Sequence, residues 1–414
     1  MENGKKLLGL VLAGGGSLGS YEVGAIEALE ELGYKFDIVT GTSIGALNGA
    51  FVCSHQTNRL RDLWEQIAPE KVMKDGINIS VREARKATSK TLLRDFNKWL
   101  KVYVQGGKPG ADISPFKEYI KNAVDVDACL KSEMKFGVVT SYFPSLSLVD
   151  VNMHEVKKEE FLSFLHASSA CFPIFPVEVI GKNKYVDGFY NDNLPIRLAF
   201  SYGADEIIAL DMRLFSLKPQ HDFYLKLPNV TYIAPYVSFG SLMDFSQEVI
   251  QKNMKLGYYD VMKHYKKMRG FFFNFNGKFP ADGFLSYILR KFNTDSKYLI
   301  DILMDGIRTK MDETDFFVRA MEILAMKLGI KDYFEVFDFE TFKEKIEKKV
   351  RKFELAKKNG KLTFSEGLKA IATKLDLKKS SRVLNAFLAD FSKEYLRIDV
   401  DQYQLGEDDS VVMA

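Results

Sequence analysis

The sequence predicts an α/β fold with a parallel sheet, followed by a mainly helical C-terminal region. Two observations support this prediction. Within about the first 50 residues, short apolar runs alternate with helix-forming segments, which is the pattern of strands joined by crossover helices. From about residue 266 glycines thin out, and Lys, Glu, Phe and Leu recur at helical spacing.

The first elements follow one another in order along the chain. The apolar run Leu7–Ala13 ends at three glycines and predicts a buried strand. Ser20–Leu32 predicts a helix because its Ala, Ile and Leu side chains share one face. A second strand is predicted at Phe36–Val39, and a helix with a face of small residues from about Ile44. Further strands are expected at Phe136–Thr140 and Ile207–Leu210.

The length of the chain predicts two domains. At 414 residues it is too long for one ordinary hydrophobic core. We expect a first domain over residues 1–265 and a mainly helical second domain of unknown role over residues 266–414. In the second, the aromatic cluster Gly270–Phe275 predicts core or lid packing, with an interfacial anchor as the alternative. The basic stretch Lys343–Lys379 predicts a solvated helix face, with contact to anionic headgroups as the alternative.

Composition excludes several classes of function. A net charge of +3 does not indicate a broad nucleic-acid-binding surface. The three cysteines, Cys53, Cys129 and Cys171, are too few and scattered for a disulfide framework or a zinc site, and we expect buried thiols in a reducing compartment. The first apolar run is too short for a signal peptide or a membrane span. The prediction is a soluble, cytoplasmic protein with at most peripheral membrane contact.

Two motifs at successive strand ends carry the chemistry. Gly41–Gly45 reads G-T-S-I-G, a G-x-S-x-G pattern that presents a serine, Ser43, on a sharp strand-to-helix turn. The glycine-rich turn Gly14–Gly19 places backbone N–H groups at a helix start, where negative charge is stabilised. Because the carboxyl ends of parallel strands meet at one sheet edge, a nucleophile and an anion hole are expected side by side.

The glycine-rich turn also fits a dinucleotide-binding fingerprint. That alternative needs an acidic residue at the far end of the second strand to hold a ribose hydroxyl. The only nearby acid, Asp37, lies at the start of that strand and therefore at the wrong edge. The sequence thus favours the anion hole over the cofactor site.

A catalytic serine needs a base, and an aspartate fits better than any histidine. We expect the five histidines, His55, His154, His166, His221 and His264, to lie on the surface. Asp187, in Tyr185–Phe189, ends a short strand and precedes Gly188, which allows a sharp turn. A carboxylate can act as the base if burial raises its pKa toward neutrality. In isolation, however, Asp-Gly is also a common turn between strands.

Taken together, these motifs resemble the patatin-like phospholipase family. Leu12–Gly19 is similar to the oxyanion loop of that family, Gly41–Ala50 to its nucleophile elbow, and Tyr185–Gly188 to its aspartate motif. Ala167–Pro176 and Gly203–Ala209 are also similar to family segments. The resemblance covers residues 5–212 well and extends weakly to about residue 265.

The resemblance implies a doubly wound α/β fold and hydrolysis of fatty-acyl esters by a Ser–Asp dyad, with Ser43 as nucleophile and Asp187 as general base. It also implies an oxyanion hole at Gly14, Gly15 and Gly16, a phospholipid or other acyl-ester substrate, and no metal or organic cofactor. The supporting glycines of the motifs are Gly19, Gly41, Gly45 and Gly188.

Two residues depart from the family pattern. Leu18 replaces the usual Arg or Lys, and Phe189 replaces the usual Gly or Ala, where its bulk would narrow the pocket. Neither departure touches a backbone donor or the two catalytic side chains, so activity is expected to survive. The alternative is a lipid-binding or scaffold protein with weak or no turnover.

Overall fold

The computed structural model describes residues 5–74, 105, 111–213, 223–237, 240–307, 309–358 and 382–398. The chain divides into two compact units between Val261 and Met262. We describe each unit by itself. That residues 266–414 form a domain with a role of its own stays a prediction.

The first unit is built on one mixed, mostly parallel sheet. The strands are β1 (Leu8–Leu12), β2 (Ile38–Thr42), β3 (Lys135–Tyr142), β4 (Leu148–Asn152), β5 (Glu178–Ile180), β6 (Asn183–Asp187), β7 (Glu206–Leu210) and β8 (Val230–Ile233). Their order in the sheet is β5-β6-β3-β2-β1-β7-β8, with β4 paired to β3. The pairs β1–β2, β1–β7, β2–β3 and β7–β8 are parallel, while β4 and β6 run antiparallel to β3, and β5 runs antiparallel to β6.

Helices flank this sheet, as the sequence predicted for the fold class. They are α1 (Ser20–Glu31), α2 (Ile44–Cys53), α3 (Thr57–Gln66), α4 (Pro69–Val72), α5 (Ser114–Ala123), α6 (Val126–Lys131), α7 (Lys158–Ser168), α8 (Ile196–Ser201) and α9 (Gln247–His264). Short 3₁₀ turns lie at Gly16–Gly19, Gly188–Tyr190 and Tyr224–Lys226. The parallel strands are buried along most of their length, because helices cover the sheet.

Strand register determines which residues meet at one edge of the sheet. Leu12, the last residue of β1, pairs with Gly41, so the glycine-rich turn and the Ser43 turn both leave the sheet there. Thr42 pairs with Val139 of β3, and Asp187 of β6 pairs with the next residue of β3, Thr140. The end of β6 is therefore level with the carboxyl end of β2, with β3 between them, although the two strands are distant in sequence.

The described part of the second unit is mainly helical. Its helices are α10 (Phe284–Phe292), α11 (Ser296–Met304), α12 (Glu313–Lys327), α13 (Phe339–Lys358) and α14 (Arg382–Glu394), with a 3₁₀ turn at Asn293–Asp295 and the short parallel pair β9 (Asn274–Phe275) and β10 (Val336–Phe337). Part of the predicted basic stretch, residues 359–379, lies outside the described residues.

The aromatic cluster of Gly270–Phe275 is a core element of this second unit. Phe271, Phe273 and Phe275 are buried. One carboxylate oxygen of the buried Glu322 accepts the backbone N–H groups of Phe271, Phe272 and Phe273, at 2.7, 2.9 and 2.9 Å. These bonds attach the backbone of Phe271–Phe273 to the helix α12. Core packing is therefore confirmed over the alternative of an interfacial anchor.

Candidate active site

Ser43 occupies a strained backbone turn between β2 and α2. Its backbone angles, φ 55° and ψ −123°, lie in a region that residues other than glycine rarely adopt. The helix α2 begins at the next residue. The neighbouring glycines are needed for close backbone approach. A Cβ on Gly45 would lie 2.5 Å from the Leu12 carbonyl oxygen, and one on Gly41 would lie 2.4 Å from the Gly45 carbonyl oxygen. The G-x-S-x-G spacing thus presents the serine hydroxyl at the edge of the sheet.

The Ser43 hydroxyl donates a hydrogen bond to the Asp187 carboxylate. The distance from Ser43 Oγ to Asp187 Oδ2 is 2.7 Å, and Asp187 is 1% exposed. The other carboxylate oxygen, Oδ1, accepts the Phe189 N–H at 2.9 Å. The pKa of the Asp187 carboxyl is raised from 3.8 to about 7, because the effect of burial outweighs the opposite effect of these two hydrogen bonds. A carboxyl with a pKa near neutrality suits a proton acceptor at physiological pH.

Ser168, at the end of α7, holds the serine turn from the other side. Its Oγ accepts the Ser43 N–H at 2.8 Å and donates to the Val139 carbonyl of β3 at 2.6 Å. The hydroxyl therefore ties the strained turn to the central sheet. No sequence pattern predicted this role, although Ser168 lies in the family-like stretch Ala167–Pro176.

The glycine-rich turn is tied down on both sides of its apex. Gly14 N–H donates to the Asn193 carbonyl at 3.1 Å, and Ser17 N–H donates to the Leu242 carbonyl at 2.8 Å. Between these tethers, the N–H groups of Gly15 and Gly16 have no acceptor within the described part of the chain. Of the three amides predicted for the oxyanion hole, that of Gly14 is thus engaged elsewhere, and those of Gly15 and Gly16 remain.

Asn193, Gly19 and Gly188 hold the backbone in place around the site. Asn193 Nδ2 donates to the Gly14 carbonyl at 3.1 Å, which adds a second bond between these two residues. A Cβ on Gly188 would lie 2.4 Å from the Val139 carbonyl oxygen, and one on Gly19 would lie 2.6 Å from the Ile44 side chain. Both glycines are therefore required by close packing. The bonds that Asn193 makes to Gly14 could not be inferred from the sequence.

Ser43 and Asp187 line a largely apolar pocket that is open to solvent. Phe189 lines this pocket, as its place after Asp187 predicted, whereas Leu18 is buried and does not line it. Cys171 lies on the pocket wall and is partly exposed as a residue, but its thiol is buried, and this burial raises the pKa of the thiol well above its ordinary value. The remaining apolar wall is formed by Ile44, Val72, Phe116, Ile174, Phe175, Leu242, Met243 and Phe245.

None of the described histidines lines the pocket. His166 is buried, and burial with the nearby Lys117 ammonium lowers its pKa to about 4. The expectation of a surface position is therefore wrong for His166, whose ring Nε2 finds no partner in the described residues. His221 lies outside the described residues. Over the same described ranges, no cluster of side chains suits a metal ion, and no helix is long and apolar enough to cross a membrane.

Comparison with known proteins identifies the family. The family model described as patatin-like phospholipase matches residues 10–200, which include every residue of the site except the Leu242–Phe245 wall. Residues 10–200 form a patatin-like phospholipase domain. The predicted resemblance is thereby confirmed.

Curated relatives of this patatin-like chain are much longer. Neuropathy target esterase sws of Drosophila melanogaster is 26% identical over 208 residues, which are 50% of this chain and 13% of the relative. Lysophospholipase nte1 of Neurospora crassa is 27% identical over 223 residues, 50% of this chain and 12% of the relative. A shorter match, 63% identical over 43 residues, is lysophospholipase nte1 of Aspergillus terreus, and covers 10% of this chain and 3% of the relative.

Two solved structures are similar over most of the patatin-like chain at low identity. VipD from Legionella pneumophila is 12% identical with a TM-score of 0.40, and the match covers 98% of this chain and 94% of VipD. The type III effector protein ExoU is 12% identical with a TM-score of 0.37, and the match covers 93% of this chain and 77% of ExoU.

Proposed function

We propose that this chain hydrolyses fatty-acyl esters of lipids, as a phospholipase A or lipid acyl esterase, through a Ser43–Asp187 dyad. The observation that carries the proposal is the 2.7 Å hydrogen bond between the two side chains at the floor of an apolar pocket. The strained turn at Ser43 and the raised pKa of Asp187 support it, because both are typical of an activated nucleophile and its base. The esterase and lysophospholipase names of the relatives agree with this class of reaction.

In the acylation step, Asp187 accepts the hydroxyl proton as Ser43 Oγ attacks the ester carbonyl carbon. The ester C–O bond then breaks, and Asp187 returns the proton to the departing alcohol. The carboxylate is restored, and the fatty-acyl group remains bound to Ser43. In the second step, water attacks the acyl carbon and gives a proton to Asp187. The bond from the acyl carbon to Ser43 Oγ then breaks, Asp187 passes the proton to Ser43 Oγ, and the fatty acid is released. These steps use protein groups and water alone.

The oxyanion that forms in each step would be bound by the N–H groups of Gly15 and Gly16, with Ile44 N–H as a further donor. Gly14 has a different part in this proposal, because its N–H is engaged by Asn193. Gly14 allows the loop to pass close to the nucleophile, since a Cβ there would lie 3.0 Å from Ser43 Cβ. One oxyanion donor is typically worth about 2.7–4 kcal/mol of transition-state stabilisation.

We also propose that the chain works in the cytoplasm and contacts lipid surfaces peripherally. Acyl-ester lipids reside in membranes, and the pocket wall is apolar, so the substrate must leave a lipid surface to reach Ser43. The three free cysteines suit a reducing compartment. Co-sedimentation with phosphatidylcholine vesicles tests the membrane contact, and protein that stays entirely in the supernatant would contradict it.

The function is tested by fatty-acid release from phosphatidylcholine and lysophosphatidylcholine, followed by mass spectrometry of the free acid. We expect release by the natural chain and loss of at least 1,000-fold in Ser43→Ala, on the scale of about 10³–10⁶ seen for such nucleophiles. Ser145→Ala, an exposed serine outside the pocket, is the matched control and should retain full activity. Undiminished release by Ser43→Ala would reject the proposed nucleophile.

A further inference from the structure

Asn193 presents a buried acceptor beside the proposed nucleophile. It is 1% exposed and lines the pocket that contains Ser43 and Asp187. Its orientation is fixed, because Nδ2 donates to the Gly14 carbonyl, and a flipped amide would press two carbonyl oxygens together. The side-chain oxygen Oδ1 therefore points away from that carbonyl.

This oxygen has no hydrogen-bond donor among the described residues. It lies close to the nucleophile, because a Cβ placed on Gly14 would be 2.4 Å from Asn193 Oδ1 and 3.0 Å from Ser43 Cβ. The other hydroxyl groups of the pocket donate their hydrogen bonds elsewhere. The Ser43 hydroxyl donates to the Asp187 carboxylate, and the Ser169 hydroxyl donates to the Leu165 carbonyl. A buried acceptor without a donor is costly, so the fitting donor comes from a molecule inside the pocket.

We propose that Asn193 Oδ1 binds the water that hydrolyses the acyl-enzyme, and that Asn193 is thus a further catalytic residue. The inference rests on the proposed function. When water attacks the acyl carbon, one O–H bond breaks and its proton passes to Asp187. The second O–H has no role in the bond changes and needs an acceptor that holds the oxygen lone pair toward the carbon. Asn193 Oδ1 supplies that acceptor, while Nδ2 keeps it in place through Gly14.

This role makes a prediction that separates the two chemical steps. With p-nitrophenyl butyrate, the first equivalent of p-nitrophenol reports acylation, and the steady state reports turnover. We expect Asn193→Ala to slow deacylation about tenfold more than acylation, since one hydrogen bond to the attacking water is lost. The variant should show a burst of one equivalent and accumulate acyl-Ser43, visible by intact-protein mass spectrometry.

A matched variant tests loosening of the glycine-rich turn alone. Ser17 Oγ donates to the Ser241 carbonyl at 2.8 Å and does not line the pocket, so Ser17→Ala removes a tether without removing the acceptor. We expect this change to leave the ratio of acylation to deacylation rates as in the natural chain. If Asn193→Ala also leaves that ratio unchanged and accumulates no acyl-enzyme, Asn193 is only a tether and the inference is wrong.

A structure of the natural chain trapped at Ser43 by a fluorophosphonate keeps the inference testable if Asn193→Ala does not fold. We expect an ordered water within hydrogen-bond distance of Asn193 Oδ1 and of one Asp187 carboxylate oxygen. A protein donor bound to Oδ1 in that structure would overturn the inference while leaving the dyad intact. A natural chain that forms no adduct and hydrolyses no ester would instead reject the proposed function.

Discussion

The buried Asp187 carboxyl should reduce the stability of the fold at neutral pH, and Asp187→Asn should recover that stability. Burial raises its pKa from 3.8 to about 7. The folded state therefore binds a proton more tightly than the unfolded state, and stability is lost as pH rises from about 4 to about 7. Each pKa unit corresponds to about 1.4 kcal/mol, so the cost is about 4 kcal/mol at pH 8 and about 2 kcal/mol at pH 5.

Urea unfolding, monitored by tryptophan fluorescence, measures the free energy of unfolding of the unit that contains Asp187. Both tryptophans, Trp64 and Trp99, precede the boundary at Val261. We expect Asp187→Asn to raise the free energy of unfolding at both pH values, by more at pH 8 than at pH 5, while ester hydrolysis is lost. The exposed Asp62→Asn is the control, with an expected change within about 0.5 kcal/mol. An Asp187→Asn protein that gains no stability at pH 8 would refute the reasoning.

Three further predictions concern the same site. The kcat/KM for a neutral ester should fall about tenfold per pH unit below pH 7, as Asp187 takes up a proton, and a midpoint near pH 4 would contradict this. Ser168→Ala leaves the Ser43 N–H without its acceptor, so kcat should fall roughly tenfold with little change in KM; an unchanged kcat would count against this tether. Gly45→Ala would place a methyl group 2.5 Å from the Leu12 carbonyl oxygen and should lower the free energy of unfolding by about 1–3 kcal/mol in urea; an unchanged urea midpoint would show that the contact relaxes.

The elements next to the motifs could be predicted from the sequence because their signals are local. Apolar runs ended by glycine predicted strands near Leu8–Leu12 and Ile38–Thr42, and small residues predicted the helix Ile44–Cys53. A steric requirement at each glycine explains why the motif spacing is so informative. Asp187 was chosen as the base for Ser43 from its strand end and Asp-Gly turn, and the family resemblance implied the Ser–Asp dyad.

The rest of the site depends on contacts between distant segments, which single-sequence patterns do not encode. The bond from Asn193 to Gly14 joins residues 179 positions apart, and the bond from Ser43 N–H to Ser168 joins residues 125 positions apart. The burial of His166 was missed because its apolar surroundings come from several elements, including Phe116 on α5. The antiparallel strand β6 was predicted as a strand, but its register against β3 was not.

The Ser43–Asp187 dyad is tested by the rate at which a fluorophosphonate labels the chain as a function of pH, with the adduct located by peptide mass spectrometry. We expect a single adduct on Ser43, a labelling rate that rises with a midpoint near pH 7, and a loss of at least 100-fold in Asp187→Asn. An adduct on another residue, or equal labelling rates in the natural chain and Asp187→Asn, would contradict it.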